Sequence, residues 1–226
     1  MNILDLFYPK KCLECGKSGG YICDKCVKKV RPSYFSCPYC NKPSFEGKTH
    51  PNCKKKQKLD QLISLWEYEG VIRKAILALK YKFVLDISNE LSNVIYKKIQ
   101  QKKIDFGKNV ILTSVPLHKK RQFFRGFNQS EEIAKRLSEH LDWKYLPDIL
   151  VRSKNTEFQT NLTKKEREEN IKNAFKFNTK YQLKDKNKIV VIFDDVWTTG
   201  STIKEMTKVL KKKGIKTVIA LTITKR

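Results

Sequence analysis

Residues 189–202, IVVIFDDVWTTGST, decide the fold of this chain. Five apolar residues in a row, Ile189 to Phe193, make a strand that must be buried on both faces, as strands of a parallel sheet are. Two acids, Asp194 and Asp195, stand at its carboxyl end. A turn of small hydroxylated residues then leads into a helix over 200–213 that Gly214 ends, and 217–224 reads as a further strand. Strand, helix and strand in this order form a crossover unit, so the fold class is α/β with a parallel sheet. In such sheets ligands collect beyond the carboxyl ends of the strands. There, the backbone N–H groups of Thr198 to Ser201, the hydroxyls of Thr198, Thr199, Ser201 and Thr202 and the positive helix end can surround a phosphate without a lysine. Gly200 permits close approach. Asp194 and Asp195 are placed to accept hydrogen bonds from vicinal ribose hydroxyls, or to support a magnesium ion through water. Trp197 is expected to pack on a neighbour rather than stack on a base.

Toward the amino end the same alternation continues. Val71, Ile72, Ala75, Ile76 and Leu79 recur at helical spacing, and so do Leu91, Val94, Ile95 and Ile99. Residues 110–115 read as a buried strand stopped by Pro116. The helix over 128–141 is expected to open with Asn128 and Glu131 as a capping box and to turn Ile133, Ala134, Leu137 and Leu141 to the core. Residues 149–152 form a short strand candidate. The polar stretch 155–172, in which Thr163 and Glu166 could cap a short helix, reads as a mobile flap.

The first 58 residues follow another logic. They are rich in Cys, Lys, Gly and Pro and poor in apolar runs, so no ordinary core can be built from them alone. Cys12/Cys15, Cys23/Cys26 and Cys37/Cys40 each leave the two-residue gap that turns both thiolates onto one tetrahedral ion, and His50 with Cys53 repeats it. Eight ligands make two zinc sites. Short loops favour Cys12, Cys15, Cys23 and Cys26 for one ion and Cys37, Cys40, His50 and Cys53 for the other, although interleaved pairing also satisfies the spacing. All eight positions are protein ligands, which is the pattern of structural zinc. The lysine run 54–58 then gives way to globular periodicity, dividing the chain into a zinc-binding module, 1–58, and an α/β domain, 59–226.

Charge adds a third line of inference. The 48 Lys and Arg against 23 Asp and Glu give a formal net charge of +25. Two thiolate-rich zinc sites would lower this only to about +22. Residues 1–60 hold 13 Lys or Arg against 5 Asp or Glu, so the excess is not confined to a tail. A polyanion is the partner such a surface favours, nucleic acid before an anionic membrane, with solvated lysine decoration as the bland alternative. No apolar stretch approaches the ~20 residues needed to span a bilayer. The start lacks the pattern of a secretory signal, so a reducing, cytoplasmic location is expected, where cysteines mean metal before disulfide.

Residues 114–129, SVPLHKKRQFFRGFNQ, leave a buried strand at Pro116 and offer His118, Lys119, Lys120, Arg121 and Arg125 before the next helix, facing the same sheet edge as the Thr-Thr-Gly loop. The segment 189–202 resembles the ribose-phosphate motif of type I phosphoribosyltransferases. That motif, VPLHxxRxxxRGFNQ, the later Gln159, Leu162, Arg167, Asn170 and Phe175, and the amino-terminal cysteines together resemble the ComF family of ComFC-type competence proteins over nearly the whole chain. The resemblance implies a type I phosphoribosyltransferase fold preceded by a double zinc ribbon. It implies a ribose-phosphate site at Asp194, Asp195, Thr198, Thr199, Gly200, Ser201 and Thr202, with Arg121 and Arg125 near the pyrophosphate end and magnesium accompanying the ligand. It further implies a cytoplasmic role in bringing transforming single-stranded DNA inward, beside a helicase and a recombination mediator that could hold the protein at the inner face of the membrane. The competing expectation is an active phosphoribosyltransferase acting on a nucleobase or another nitrogen acceptor.

Overall fold

The computed structural model describes residues 9–54, 58–81, 86–117, 126–154, 164–182, 185 and 187–226, with the backbone alone at 164, 165, 167 and 168. Helix α1 (Asp24–Lys29) belongs to the cysteine-rich segment. It is followed by β1 (Gln61–Glu67), α2 (Gly70–Tyr81), α3 (Asp86–Gln101), β2 (Val110–Ser114), α4 (Gln129–Leu141), β3 (Lys144–Tyr145) and β4 (Leu150–Arg152). The chain ends with α5 (Lys164–Ile171), β5 (Phe175–Phe177), β6 (Ile189–Trp197), α6 (Ser201–Lys212) and β7 (Thr217–Lys225). Five strands form one parallel sheet in the order β1-β7-β6-β2-β3, and β4 pairs antiparallel with β5 in a separate small sheet.

The two-residue period of a strand sends successive side chains to opposite faces. Along β6, Val191 and Phe193 join the core beneath α2, α3 and α4, while Val190 and Ile192 join the core beneath α6 and the β4–β5 pair. Ile219 and Leu221 on β7 divide from Val218 and Ala220 in the same way. The apolar runs of β6 and β7 are thus consumed on both sides, as expected of the central strands of a three-layer domain.

Three features depart from the expectations. First, β6 does not end at Phe193 but stays paired with β7 as far as Trp197 and Lys225, so both acids lie on the strand itself. Second, β1, β3 and β5 were not foreseen. In β1 the polar Ser64 interrupts the apolar pattern, and only the fold shows why: its hydroxyl lies 2.6 Å from that of Thr222 on β7, so two buried groups satisfy each other. Third, α4 carries half of a capping box. The Asn128 side chain accepts the N–H of Ser130 at 3.2 Å, but its amide donates to the Val115 carbonyl at 3.0 Å, tying the helix to β2, and among the described residues Glu131 returns no bond.

The cysteine-rich segment is stitched to the open edge of β1. Ser33 N–H donates to the Leu65 carbonyl at 3.2 Å, Glu67 N–H to Arg31 at 2.9 Å, and Thr49 N–H to Asp60 at 2.8 Å. These bonds cover an edge that would otherwise present unpaired backbone. Gly47 (φ 76°) lies so close to β1 that a Cβ there would sit 2.0 Å from the Leu62 carbonyl oxygen. The segment also borrows its core: Ile22, Cys26 and Val30 are buried in the cluster that α2 and α3 build. From α3, Glu90 accepts the N–H groups of Tyr21 and Ile22 at 3.0 and 2.8 Å.

Candidate functional site

Two constellations stand out, one of thiols and one at the carboxyl end of the sheet. In the first, the donor atoms of Cys12, Cys15, Cys23 and Cys26 lie within 4.8 Å of one another, and those of Cys37, Cys40, His50 and Cys53 do likewise. The grouping is sequential, as the short loops favour. A zinc ion with bonds of about 2.3 Å to sulfur sets a tetrahedral edge of about 3.75 Å between two sulfurs. Cys15 and Cys23 stand 3.7 Å apart, and Cys40 lies 3.3 Å from His50 Nδ1. His50 Nε2 is 3.0 Å from the Pro43 carbonyl, so the proton on that nitrogen donates there and leaves the Nδ1 lone pair for a metal.

Backbone geometry prepares one thiolate in each cluster. Burial raises the Cys12 thiol, but the N–H groups of Cys15, Cys23 and Glu14 outweigh it and bring the thiol down to about 6. Against the same burial, the N–H groups of Cys40, His50 and Tyr39 bring Cys37 to about 7. The two donor sets fit two zinc ions, each closed by four protein ligands.

The second constellation lies where β6 ends. Gly200, in the left-handed region at φ 68°, caps α6, and Trp197 packs beneath it. A Cβ at position 200 would meet the indole Cη2 and Cζ2 at 2.2 Å. Trp197 is buried, so it is a floor for the loop rather than a stacking surface. Thr199 Oγ1 lies 3.0 Å from Ser201 Oγ and accepts the Ser201 N–H at 3.3 Å, while Thr198 is exposed. Among the described residues no acceptor is recorded for the N–H groups of Thr198, Thr199 and Gly200. Gly200 is the amino cap of α6 and Thr198 and Thr199 immediately precede it, so the three donors gather at the positive end of the helix.

The acids are embedded in a network. Asp194 Oδ1 accepts from Ser130 Oγ at 3.1 Å and from the Asp195 N–H at 2.9 Å. Asp195 Oδ2 forms an ion pair with Lys80, at the end of α2, at 2.6 Å. Burial and then the Asp195 charge drive the Asp194 carboxyl up to about 7, against the pull of Lys80, the Asp195 N–H and Ser130. Burial works against the Lys80 charge, but the two acids prevail and raise its pKa. Near neutral pH Asp194 therefore titrates while Lys80 stays charged.

The basic segment begins and ends beside this network. Val115 N–H donates to the Phe193 carbonyl at 3.0 Å, and the segment returns at Asn128, two residues before Ser130. His118, Lys119, Lys120, Arg121 and Arg125 lie outside the described residues, as do Gln159, Leu162 and Thr163; of Arg167 only the backbone is described.

Sequence reasoning passed over Lys80, Ser130 and Lys204. Lys204 sits in the first turn of α6 and donates to the Thr199 carbonyl at 2.8 Å, a position that its spacing from Gly200 could have flagged. Lys80 carries no such signal, because only the packing of α2 on the sheet brings it to the acids. No helix among the described residues is long and apolar enough to cross a membrane.

Comparison with known proteins places both constellations in one lineage. The chain matches a double zinc ribbon domain over residues 3–55 and a phosphoribosyl transferase domain over residues 128–226. It is 29% identical to competence protein F of Haemophilus influenzae over 229 residues, covering 94% of this chain and 95% of that protein. It is 30% identical to DNA utilization protein YhgH of Escherichia coli O6:H1 over 203 residues, 87% of each chain. Competence protein ComFC of Bacillus subtilis is 26% identical over 201 residues, 86% of this chain and 78% of that protein. A zinc-ribbon segment, a parallel-sheet phosphoribosyl transferase domain and relatives aligned over most of their length establish that the chain belongs to the ComF family of competence and DNA-utilization proteins.

Proposed function

We propose that this chain is a DNA-uptake protein that binds phosphoribosyl pyrophosphate or a related ribose phosphate at residues 194–202 and handles incoming single-stranded DNA in the cytoplasm. The observation that carries the ligand reading is the loop itself: three N–H groups with no described acceptor, at the amino end of α6, beside two acids, the half-buried Asp194 and the buried Asp195. A phosphate fits N–H donors at a helix amino end. The hydroxyls of Thr198, Thr199, Ser201 and Thr202 would complete its shell, and Asp194 and Asp195 would accept from the two ribose hydroxyls. Because Lys80 already partners Asp195, magnesium would enter on the pyrophosphate of the ligand rather than on the bare acid pair. Arg121 and Arg125 would then face the pyrophosphate end. The zinc module, 1–58, and the ligand domain, 59–226, would act as one body.

The DNA reading rests on charge and on the names of the relatives. About +22 after zinc, distributed over both parts, attracts a phosphate backbone without sequence preference. Helicase and recombination-mediator proteins are the partners such a role would require, and they could bring the protein to the inner face of the membrane.

A second reading, an active transferase, is favoured by one specific observation. Asp194 changes protonation near neutral pH, as a group removing a proton from a nitrogen acceptor would need to. Calorimetry with phosphoribosyl pyrophosphate and magnesium, followed by a pyrophosphate assay with DNA or nucleobases present, separates the two. Binding without pyrophosphate release supports ligand sensing, and release supports transfer. If Asp194→Asn combined with Asp195→Asn bound as tightly as the parent, the assignment of the pocket would be wrong.

A further inference from the structure

The second cysteine cluster and the phosphate loop are joined by two lysines. Lys204 donates to the Thr199 carbonyl at 2.8 Å, and its ammonium stands 5.1 Å from the Tyr39 ring centroid and 5.4 Å from that of Trp197. Tyr39 sits between Cys37 and Cys40, so its backbone is held by two donors to one ion. Its hydroxyl accepts the N–H of Leu59 at 2.8 Å, which fixes the ring against the core beneath α6. Lys225, the last residue of β7, is buried and donates to Ser36 Oγ at 2.5 Å and Asn41 Oδ1 at 2.6 Å, the residues flanking the turn from Cys37 to Cys40. On the sheet Lys225 pairs with Trp197, the floor under Gly200. The knuckle thus reaches the loop twice, through Tyr39, Lys204 and Thr199, and through Lys225, Trp197 and Gly200.

The first route orients a donor. A trans peptide is planar, with its carbonyl and its N–H pointing in opposite directions. The Thr199 carbonyl and the Gly200 N–H belong to the same peptide unit. Holding that carbonyl with Lys204 turns the Gly200 N–H the other way, into the set of donors available to a phosphate. The ammonium is itself held over aromatic faces, one of which the zinc knuckle supplies. The first cluster has no such link: its described contacts run to α2 and α3 through Ile22, Val30 and Glu90.

Resting on the assignment of residues 198–202 as the phosphate loop, we infer that Tyr39 and Lys204 are positioning residues for that loop, and that the metal held by Cys37, Cys40, His50 and Cys53 sets its affinity for a ribose phosphate. Coupling of two binding equilibria is reciprocal. A ribose phosphate must therefore tighten the grip on the second ion and leave the first unchanged.

The test uses the full zinc-loaded chain and ribose 5-phosphate, with zinc affinities measured by competition against a chelator. The two ions are told apart by Cys12→Ser, which removes the first. Saturating ribose 5-phosphate is expected to hold the second ion at least about 5-fold more tightly, the lower end of ordinary coupling, and not to affect the first. Tyr39→Leu and Lys204→Met are expected to weaken ribose 5-phosphate by a similar factor and to abolish its effect on zinc. Weaker binding alone could come from the lost Lys204 charge, so the zinc readout carries the decision. If the parent protein binds ribose 5-phosphate while both zinc affinities stay unchanged, the inference fails, even should the variants not fold. If the parent does not bind ribose 5-phosphate at all, the reading of the loop fails first.

Discussion

Gly200→Ala tests the phosphate loop most directly, because its cost can be assembled from two terms. The first is backbone conformation: at φ 68° an L-side chain is strained by about 1–2 kcal/mol. The second is steric. The new Cβ would stand 2.2 Å from two atoms of the Trp197 ring, more than 1 Å inside ordinary contact, and the ring is 5% exposed with little room to retreat. Forcing an extra carbon into a packed site costs about 1–3 kcal/mol. Together the substitution should destabilise the protein by about 2–5 kcal/mol, read as a lowered midpoint of urea denaturation in zinc-loaded protein, and should abolish ribose 5-phosphate binding. Trp197→Leu separates the terms. It has its own cost from the lost ring, but in the double variant the steric term disappears and only the backbone strain remains. Gly200→Ala with Trp197→Leu should therefore be about 1–3 kcal/mol less destabilised than the sum of the single variants. Additivity within about 0.5 kcal/mol would show that the Cβ and the ring never meet, and the description of Trp197 as the floor of the loop would be refuted.

Further predictions address charge, metal and DNA. The folded pKa of Asp194 is raised from 3.8 to about 7, so the stability owed to its protonated form is complete below the unfolded carboxyl range and is lost as pH rises through about 7. Between about pH 6 and 8 the parent should lose thermal stability relative to Asp194→Asn, and parallel curves would exclude this origin. Metal analysis should find two zinc ions per chain, with Cys12→Ser reducing this to one; a parent value of one would mean that His50 and Cys53 do not complete a site. Glu90→Ala leaves the N–H groups of Tyr21 and Ile22 without their acceptor, so a chelator should remove the first ion several-fold faster while the second is unaffected. Affinity for single-stranded DNA should fall with salt at a log–log slope steeper than about −2, as several neutralised phosphates require. Arg125→Ala should flatten that slope if the residue serves DNA, or spare it and weaken the small ligand if it serves pyrophosphate.

How much of the molecule the sequence discloses depends on the range of the interaction involved. Local patterns were sufficient for β6, α6 and β7, because continuous apolar runs and a helix bounded by Gly200 and Gly214 are written in neighbouring residues. They named the eight cysteine and histidine donors as well, through the repeated two-residue gap, but it is the fold that groups them in sequential rather than interleaved order. β1 was hidden because Ser64 looks polar in one dimension and is satisfied only by Thr222, 158 residues away. β3 and β5 are two and three residues long, too short for a period to show. The acids and the small-residue turn after them were legible in the sequence, but their electrostatic state was not. That Asp194 titrates near neutrality, and that Lys80 neutralises Asp195, follows from burial and from the packing of α2 against the sheet. The sequence by itself determined the α/β class, the eight cysteine and histidine donors and the small-residue turn from β6 into α6, all properties of residues close in the chain. Only the tertiary structure decided that the zinc segment closes the edge of β1, that Trp197 lies beneath Gly200, and that Tyr39, Lys204 and Lys225 connect a zinc knuckle to the loop. Those contacts join residues far apart in sequence, and a chain reveals such partners only when burial and hydrogen bonding have brought them together.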